Sequence, residues 1–159
     1  MSYLLIAVLF SVRPVDPTAV ETLDLAVNRS AVVRLLIDEL ERSNLIIHLL
    51  SSLELPQGIG GTTRFVTSRG GYRYLRITIA AQLPRDLRVA ILAHELQHAR
   101  EMAESSADNA VALIELFATI GRRNGGFFET EAAIRVERSV RMELRGRSSP
   151  AEPAVKFRH

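Results

Sequence analysis

Residues 85–104 read RDLRVAILAHELQHAREMAE and follow Pro84 directly. Proline is favoured where helices begin, and no proline or glycine interrupts this stretch, so it predicts one helix of about twenty residues. At its centre, His94 and His98 are four residues apart and Glu95 follows the first histidine. Residues four apart share one face of a helix and are about 6 Å apart along its axis, so both imidazoles can reach one ion.

The chemistry of such a site follows from the residue types available. The sequence has no cysteine, so any metal must be held by histidine and carboxylate. The H-E-x-x-H pattern is typical of zinc sites in which two histidines bind the ion and the glutamate is the general base. Zinc lowers the pKa of water toward about 7, and catalytic sites of this kind need a third protein ligand. We therefore predict a Zn²⁺ site at His94 and His98, with Glu95 as the catalytic base.

The third ligand is less well defined by the sequence. The last predicted helix has an apolar stripe, and extending that stripe backward by four residues reaches Glu129. Glu137 also falls near the stripe, whereas Glu131 points to nearly the opposite side, where it can pair with neighbouring arginines. Glu101 shares the histidine face but is too far along the axis to join the same ion, so we interpret it as a supporting or solvated group. We favour Glu129 and leave Glu131 and Glu137 open. The stripe consists of Ala133, Val136, Val140 and Leu144.

The remaining patterns predict an α+β domain. Its parts are an N-terminal helix, a small three-stranded sheet, the HELQH helix and two C-terminal helices. In the last strand, alternate residues from Arg73 to Ile79 share one mostly apolar face. The predicted elements are a helix over 18–42 that is broken near Ser30, a strand over 45–50, a hairpin of 64–67 and 72–79, and helices over 85–104, 108–120 and from after Gly125-Gly126 to 145.

The ends of the chain differ in composition from its middle. We divide the sequence into an apolar N-terminal segment (1–17), a single domain (18–145) and a tail (146–159) that is predicted to be disordered. The apolar run at 3–12 is too short to span a bilayer. It fits a buried strand or helix start, and equally the remnant of an export signal, although no Lys or Arg precedes it. The sequence therefore leaves localisation open between export, membrane association and the cytoplasm.

The charge of the chain does not favour nucleic acid as a partner. The 20 basic residues against 18 acidic ones give a net charge of +2, and the basic residues are scattered rather than interleaved with aromatics. The hydrophobic fraction of 47% is sufficient for a proper core. We therefore expect no nucleic acid partner, and the H-E-x-x-H motif favours a peptide or protein as the substrate.

At HELQH the chain resembles the zincin metallopeptidases, and its downstream acid makes it similar to a minimal form of the gluzincin branch. From GGTTRF (60–65) through YRYLRI (72–77) to HELQHA (94–99), it also looks like a group of small uncharacterised bacterial proteins. These proteins carry an acid-Thr-x-Ala-Ala segment, matched here by ETEAA (129–133). The resemblance implies zinc at His94 and His98, Glu95 as general base and Glu129 as the matched acid. It also implies an edge strand to which an extended peptide adds, for which residues 72–79 are the candidate. No E-x-x-x-D follows Glu129, which departs from the better-known gluzincins.

Two functions from different classes fit these observations. The first is a zinc-dependent peptide hydrolase in which Glu95 moves a proton from the attacking water to the leaving amine. The alternative is a zinc-binding, non-proteolytic module with a regulatory or partner-binding role. The small size of the chain motivates the alternative.

Overall fold

The computed structural model describes residues 10–146. The order of elements is mixed, so the α+β class is confirmed. The elements are β1 (Val12–Pro14), α1 (Pro17–Arg29), α2 (Ala31–Glu41), β2 (Leu45–Ser52), β3 (Gly61–Arg69), β4 (Tyr72–Ala80), α3 (Arg85–Ala103), α4 (Ala110–Ile120), β5 (Arg122–Asn124), β6 (Phe127–Glu129) and α5 (Glu131–Gly146).

Within the described residues, the main sheet has four strands rather than the three predicted, in the order β1-β2-β4-β3. The pairs β1/β2 and β2/β4 are parallel, and β3/β4 is antiparallel. The β3–β4 hairpin turns at Gly70-Gly71, where both residues have positive φ, as a two-residue hairpin turn favours. The missed strand, β1, has only three residues and ends at Pro14, so its periodicity is too short to detect.

The break in the N-terminal helical region is confirmed. Ser30 separates α1 from α2, and its hydroxyl accepts a hydrogen bond from the amide of Val33, which caps the start of α2. Asp16 caps α1 in the same way, with Pro17 at the first helical position. The two helices therefore form a crossover between the parallel strands β1 and β2, as parallel pairing requires.

The buried face of β4 is also confirmed, because Arg73, Leu75, Ile77 and Ile79 are all buried. The guanidinium of Arg73 donates to the carbonyl oxygens of Met102, Ala103, Ser105 and Ala107, at or beyond the end of α3. An arginine on an apolar face is thus accounted for, since its guanidinium donates to carbonyl groups at the end of the helix, where intrahelical donors run out.

The central helix is α3, which packs against α1, α2, α5 and the strands β3 and β4. It is buried on nearly all sides, including every residue from Leu92 to Ala99. The HELQH segment therefore lies inside the domain rather than on an amphipathic surface helix, and its polar side chains need internal partners.

The C-terminal region differs from the prediction in one respect. Helix α4 ends at Gly121, as expected, but the residues around Gly125-Gly126 form a short antiparallel ribbon, β5–β6, before α5 begins. The apolar stripe of α5 is confirmed, since Ala133, Val140 and Leu144 are buried.

The predicted domain limits shift at the N-terminus. Val12 is buried in the core and Pro17 opens α1, so part of the predicted 1–17 segment belongs to the domain. The rest of that segment, residues 1–9, and residues 147–159 of the predicted tail lie outside the described residues. Within residues 10–146, no helix is both long enough and apolar enough to cross a membrane.

Candidate metal centre

The two histidines of HELQH meet at their outer ring nitrogens. Nε2 of His94 lies 3.1 Å from Nε2 of His98, and the rings meet edge to face. Both residues are nearly buried, at 7% and 6% exposure. The structure therefore brings together the two imidazoles that the sequence predicted to share one face.

The inner ring nitrogens are each engaged by a carboxylate. Nδ1 of His94 lies 3.1 Å from Oε2 of Glu137 on α5, and Nδ1 of His98 lies 3.0 Å from Oε2 of Glu101. An ionised carboxylate only accepts hydrogen bonds, so these contacts favour a proton on each Nδ1 and a lone pair on each Nε2. Carboxylate–histidine pairs of this kind orient the histidine ligands of metal sites.

The electrostatics of these carboxylates agree with that assignment. The hydrogen bond from His94 lowers the pKa of Glu137, and Arg141 lowers it further. Burial alone would raise the pKa of Glu101, but hydrogen bonds from His98 and Thr130 more than offset this and lower it. Both groups are therefore ionised at neutral pH, as acceptors for an imidazole N–H must be.

Thr130 connects this site to the start of α5. Its hydroxyl donates to Oε1 of Glu101 at 2.7 Å and accepts from the amide of Ala133, so the same side chain caps α5 and supports the acid behind His98. Thr130 is buried, at 3% exposure. Thr130 belongs to the ETEAA segment that was matched from the sequence, but no role was predicted for it, although a threonine just before a helix is a recognisable capping signal.

Glu95 is buried beside the histidines and is held by β3. The hydroxyl of Thr63 donates to Oε2 of Glu95 at 2.7 Å. Burial is the largest influence on this carboxylate and raises its pKa, although His98, Thr63 and His94 act in the opposite direction. Thr63 was missed from the sequence, because nothing local indicates that β3 crosses α3 at Glu95.

At Gly61, strand β3 packs tightly against α3. A Cβ atom added to Gly61 would lie 2.7 Å from Cγ2 of Ile91 and 3.0 Å from both Cγ and Oε1 of Glu95. A side chain cannot fit at such distances without displacing its neighbours. Glycine at this position therefore allows the strand to lie directly against the predicted catalytic base.

The three candidates for the third ligand lie in different environments. Glu131 is exposed and lies near Arg122 and Arg135, as the ion-pair interpretation anticipated. The carboxylate of Glu137 already contacts Nδ1 of His94 through one oxygen and Arg141 through the other. Glu129 forms no side-chain hydrogen bond or ion pair with any residue of the described range 10–146. Burial is the largest influence on the pKa of both His94 and Glu95, and the charge of Glu129 makes a smaller contribution that raises both pKa values.

The argument that led to Glu129 was nevertheless wrong in one respect. Glu129 is the last residue of β6 and precedes α5, so it does not continue the helical stripe. In the part of the chain that the structure describes, no group of three or more His, Asp or Glu side chains is already arranged to hold a metal ion. The two histidines are placed together, but the carboxylate of Glu129, the favoured third ligand, is not grouped with them.

The spacing of the histidine nitrogens fits a metal ion. Two nitrogens that bind one tetrahedral zinc at about 2.0–2.1 Å are roughly 3.3 Å apart, which is close to the observed 3.1 Å. With both Nδ1 atoms protonated, two lone pairs face each other at this distance, and they repel unless a cation or a proton lies between them. The two Nε2 atoms therefore fit two of the four ligand positions of a tetrahedral zinc ion.

The predicted edge strand was wrong. Residues 72–79 lie in β4, which pairs with β2 on one side and β3 on the other, so its backbone groups are already used. Among the strands of residues 10–146, the free edge near the site belongs to β3, the strand that carries Gly61 and Thr63. The hairpin itself was predicted, but the sequence did not reveal that β2 pairs in parallel with the second strand of that hairpin.

Helix α4 contacts the site through the ring of Phe117. The ring of Phe117 lies edge to face on the ring of His98, with centroids 5.2 Å apart. Leu113 and Phe117 are the buried residues of α4, whereas Val111 and Ile114 are more than half exposed. Helix α4 is thus in contact with His98 through the aromatic ring of Phe117.

Comparisons of the chain with protein-family models, with curated proteins and with solved structures found no match.

Proposed function

We propose that the protein is a zinc-dependent peptide hydrolase in which His94, His98 and Glu129 bind the metal and Glu95 is the general base. One observation carries the proposal: the two Nε2 atoms converge at 3.1 Å while a carboxylate engages each Nδ1 atom. Histidine pairs that only stabilise a fold have no need for facing lone pairs. This arrangement is suited to a shared cation.

The choice of Glu129 follows from the roles of the other acids. Glu101 and Glu137 orient the histidines, and Glu131 lies among arginines at the surface. Glu129 is the remaining acid whose charge acts on the site. Binding of zinc would then require Glu129, the last residue of β6, to move toward the two histidines.

The chemistry of hydrolysis would be divided between the ion and the chain. Zinc supplies Lewis acidity and makes hydroxide available near neutral pH. Glu95 accepts the proton of the attacking water and returns it to the leaving amine, and its raised pKa suits a base that must also act as an acid. Thr63 holds one carboxylate oxygen, which leaves the other, Oε1, available for proton transfer.

The edge of β3 supports a peptide as the substrate. An extended peptide can add to a free strand edge through backbone hydrogen bonds. Gly61 brings this strand against Glu95, so a bound peptide backbone would pass close to the base. The peptide bond is therefore the favoured class of scissile bond.

The test is hydrolysis of a mixed peptide library by the zinc-loaded protein, followed by mass spectrometry. We expect about one zinc per chain, and we expect Glu95→Gln to retain zinc while losing at least a hundredfold in rate. Glu115→Gln is the matched control, because Glu115 is exposed on α4 and its side chain has no partner among residues 10–146. Full activity in Glu95→Gln would contradict the assigned base.

A second candidate function has one observation in its favour. The HELQH side chains are only 5–7% exposed at His94, Glu95, Gln97 and His98, and Phe117 covers His98. A closed site suits a zinc-binding, non-proteolytic module. Zinc bound at one equivalent, with no cleavage of the library by either the wild type or Phe117→Ala, would favour this module over the hydrolase.

A further inference from the structure

A cleft of about 910 Å³ adjoins the candidate metal centre on the side of β5, β6 and α5. Glu101 and Glu129 line it, and these are the acid behind His98 and the proposed third ligand. One part of the cleft is therefore formed by groups that belong to the metal centre. A substrate that reaches the metal from this side must occupy the cleft.

The walls of this cleft carry four arginines. Arg122 and Arg123 come from β5, and Arg135 and Arg138 come from α5. Both elements thus contribute arginines to the lining of the same cleft. Guanidinium groups bind carboxylates through paired, planar hydrogen bonds.

Two of the arginines form no ion pair within the part of the chain that the structure describes. Arg122 and Arg135 share Glu131, at 3.6 and 3.5 Å. Arg123 and Arg138 form no ion pair or side-chain hydrogen bond with any residue between 10 and 146. Both are exposed on the cleft. The cleft thus offers two cations that an external anion can engage without breaking an existing pair.

The acids interspersed among the arginines limit the kind of anion. Glu101, Glu129 and Glu131 line the same cleft, so the excess positive charge is small. A polyanion such as nucleic acid would meet these carboxylates along its length. A ligand with one or two carboxylates and an otherwise neutral backbone fits better.

We propose that this arginine cleft selects peptides that carry a carboxylate near the scissile bond, with Arg123 and Arg138 as its specificity residues. The inference rests on the proposed peptide hydrolysis and names its substrate class. The carboxylate can be an Asp or Glu side chain or the carboxyl terminus of the peptide, because both offer the same chemistry to a guanidinium.

The experiment measures binding and cleavage separately. Fluorescein-labelled hexapeptides with Glu or Gln at each position, and with a free or amidated C-terminus, are titrated by anisotropy against zinc-loaded Glu95→Gln protein in about 50 mM salt. We expect Glu peptides or free-acid peptides to bind about five- to tenfold more tightly than their neutral partners. The position and terminus that matter distinguish the two sources of carboxylate.

Variants then assign the preference to the cleft. Arg123→Gln/Arg138→Gln should abolish the preference, whereas Arg42→Gln/Arg145→Gln should retain it. The control pair removes the same charge from exposed arginines that do not line the cleft. The preference should also appear in kcat/KM for the wild-type enzyme.

The outcomes separate the two proposals. Equal binding of Glu and Gln peptides, a preference that survives Arg123→Gln/Arg138→Gln, or tighter binding of a single-stranded oligonucleotide would overturn the assignment of the cleft. Cleavage without any carboxylate preference would support the proposed hydrolysis and overturn the proposed role of the cleft. Arginine-dependent binding of acidic peptides, with no cleavage by wild-type protein, would overturn hydrolysis and leave the carboxylate-binding cleft.

Discussion

Oε2 of Glu101 lies 3.0 Å from Nδ1 of His98, and the other oxygen of the same carboxylate accepts a hydrogen bond from Thr130. Both oxygens are thus engaged, so the carboxylate fixes the orientation of the His98 ring. The residue was interpreted from the sequence as a supporting or solvated group, and the structure gives it the supporting position. Its contribution should appear in metal affinity rather than in catalysis itself.

We expect Glu101→Ala to weaken zinc binding by about 10- to 100-fold, the range found when the partner of a histidine ligand is removed. The measurement is competition with a chromogenic chelator. Glu104→Ala is the control, since Glu104 is three residues away, largely exposed and paired with Arg100 at the surface. Equal losses in the two variants would show that general charge, rather than support of His98, governs affinity.

The identity of the third ligand can be tested with the same assay. Glu129→Ala should lose more affinity than Glu101→Ala, because removal of a ligand affects the ion directly. Glu131→Ala, two residues away, should bind zinc like the wild type, since its side chain is exposed among arginines. Wild-type affinity in Glu129→Ala would contradict its role as a ligand and reopen the choice of Glu137.

Local signals explain what could be predicted from the sequence. Ser30 as a helix cap, Gly70-Gly71 as a hairpin turn and Gly121 as a helix end each depend on the conformational preference of one or two residues. The pairing of His94 with His98 depends only on helical periodicity. Such features depend little on how the rest of the chain folds, so the sequence alone predicts them.

Contacts between segments that are distant in the sequence explain what could not be predicted from it. The edge position of β3 depends on β2 pairing in parallel with β4, and nothing within residues 61–80 encodes that choice. Thr63 reaches Glu95 across 32 positions, and Glu137 reaches His94 across 43. Glu129 was favoured on the assumption of a longer helix, although β6 carries it close to the site by a different route.

Replacement of Arg73 tests how much its hydrogen bonds to the end of α3 contribute to stability. Its guanidinium serves carbonyl groups at the end of this helix from within the core, and burial lowers its pKa. Arg73→Met keeps the apolar stem but removes the guanidinium that donates to the carbonyl oxygens of Ala103, Ser105 and Ala107, so we expect a loss of about 3 kcal/mol in the free energy of unfolding. Urea denaturation measures it, and Arg69→Met on the exposed hairpin should change stability by less than about 0.5 kcal/mol.

Asp16 should make stability depend on pH. Burial alone would raise the pKa of Asp16, but hydrogen bonds from Ser51 and from the amides of Ala19 and Thr18 lower it below its usual 3.8. A carboxylate with a lowered folded-state pKa contributes stability that is present above its unfolded pKa and is lost as pH falls through the folded value.

We therefore expect Asp16→Asn to be less stable than the wild type at pH 7, by about 1 kcal/mol, and the difference to shrink as pH falls below about 4. Thermal unfolding at a series of pH values measures this difference. Asp38→Asn is the control, because Asp38 is exposed and has no partner among the described residues. A difference that stays constant with pH would mean that Asp16 acts through its shape alone.

Gly61 tests whether β3 positions the predicted base. In Gly61→Ala, the new methyl group would press on Ile91 and on the side chain of Glu95, so Glu95 or the strand must move. We expect kcat to fall by at least tenfold while zinc affinity stays within about threefold of the wild type, because neither histidine lies among the nearest neighbours of the added atom. Gly126→Ala is the matched control, since a Cβ there meets nothing within 4 Å. Loss of zinc together with activity would indicate that the strand holds the whole helix in place rather than Glu95 alone.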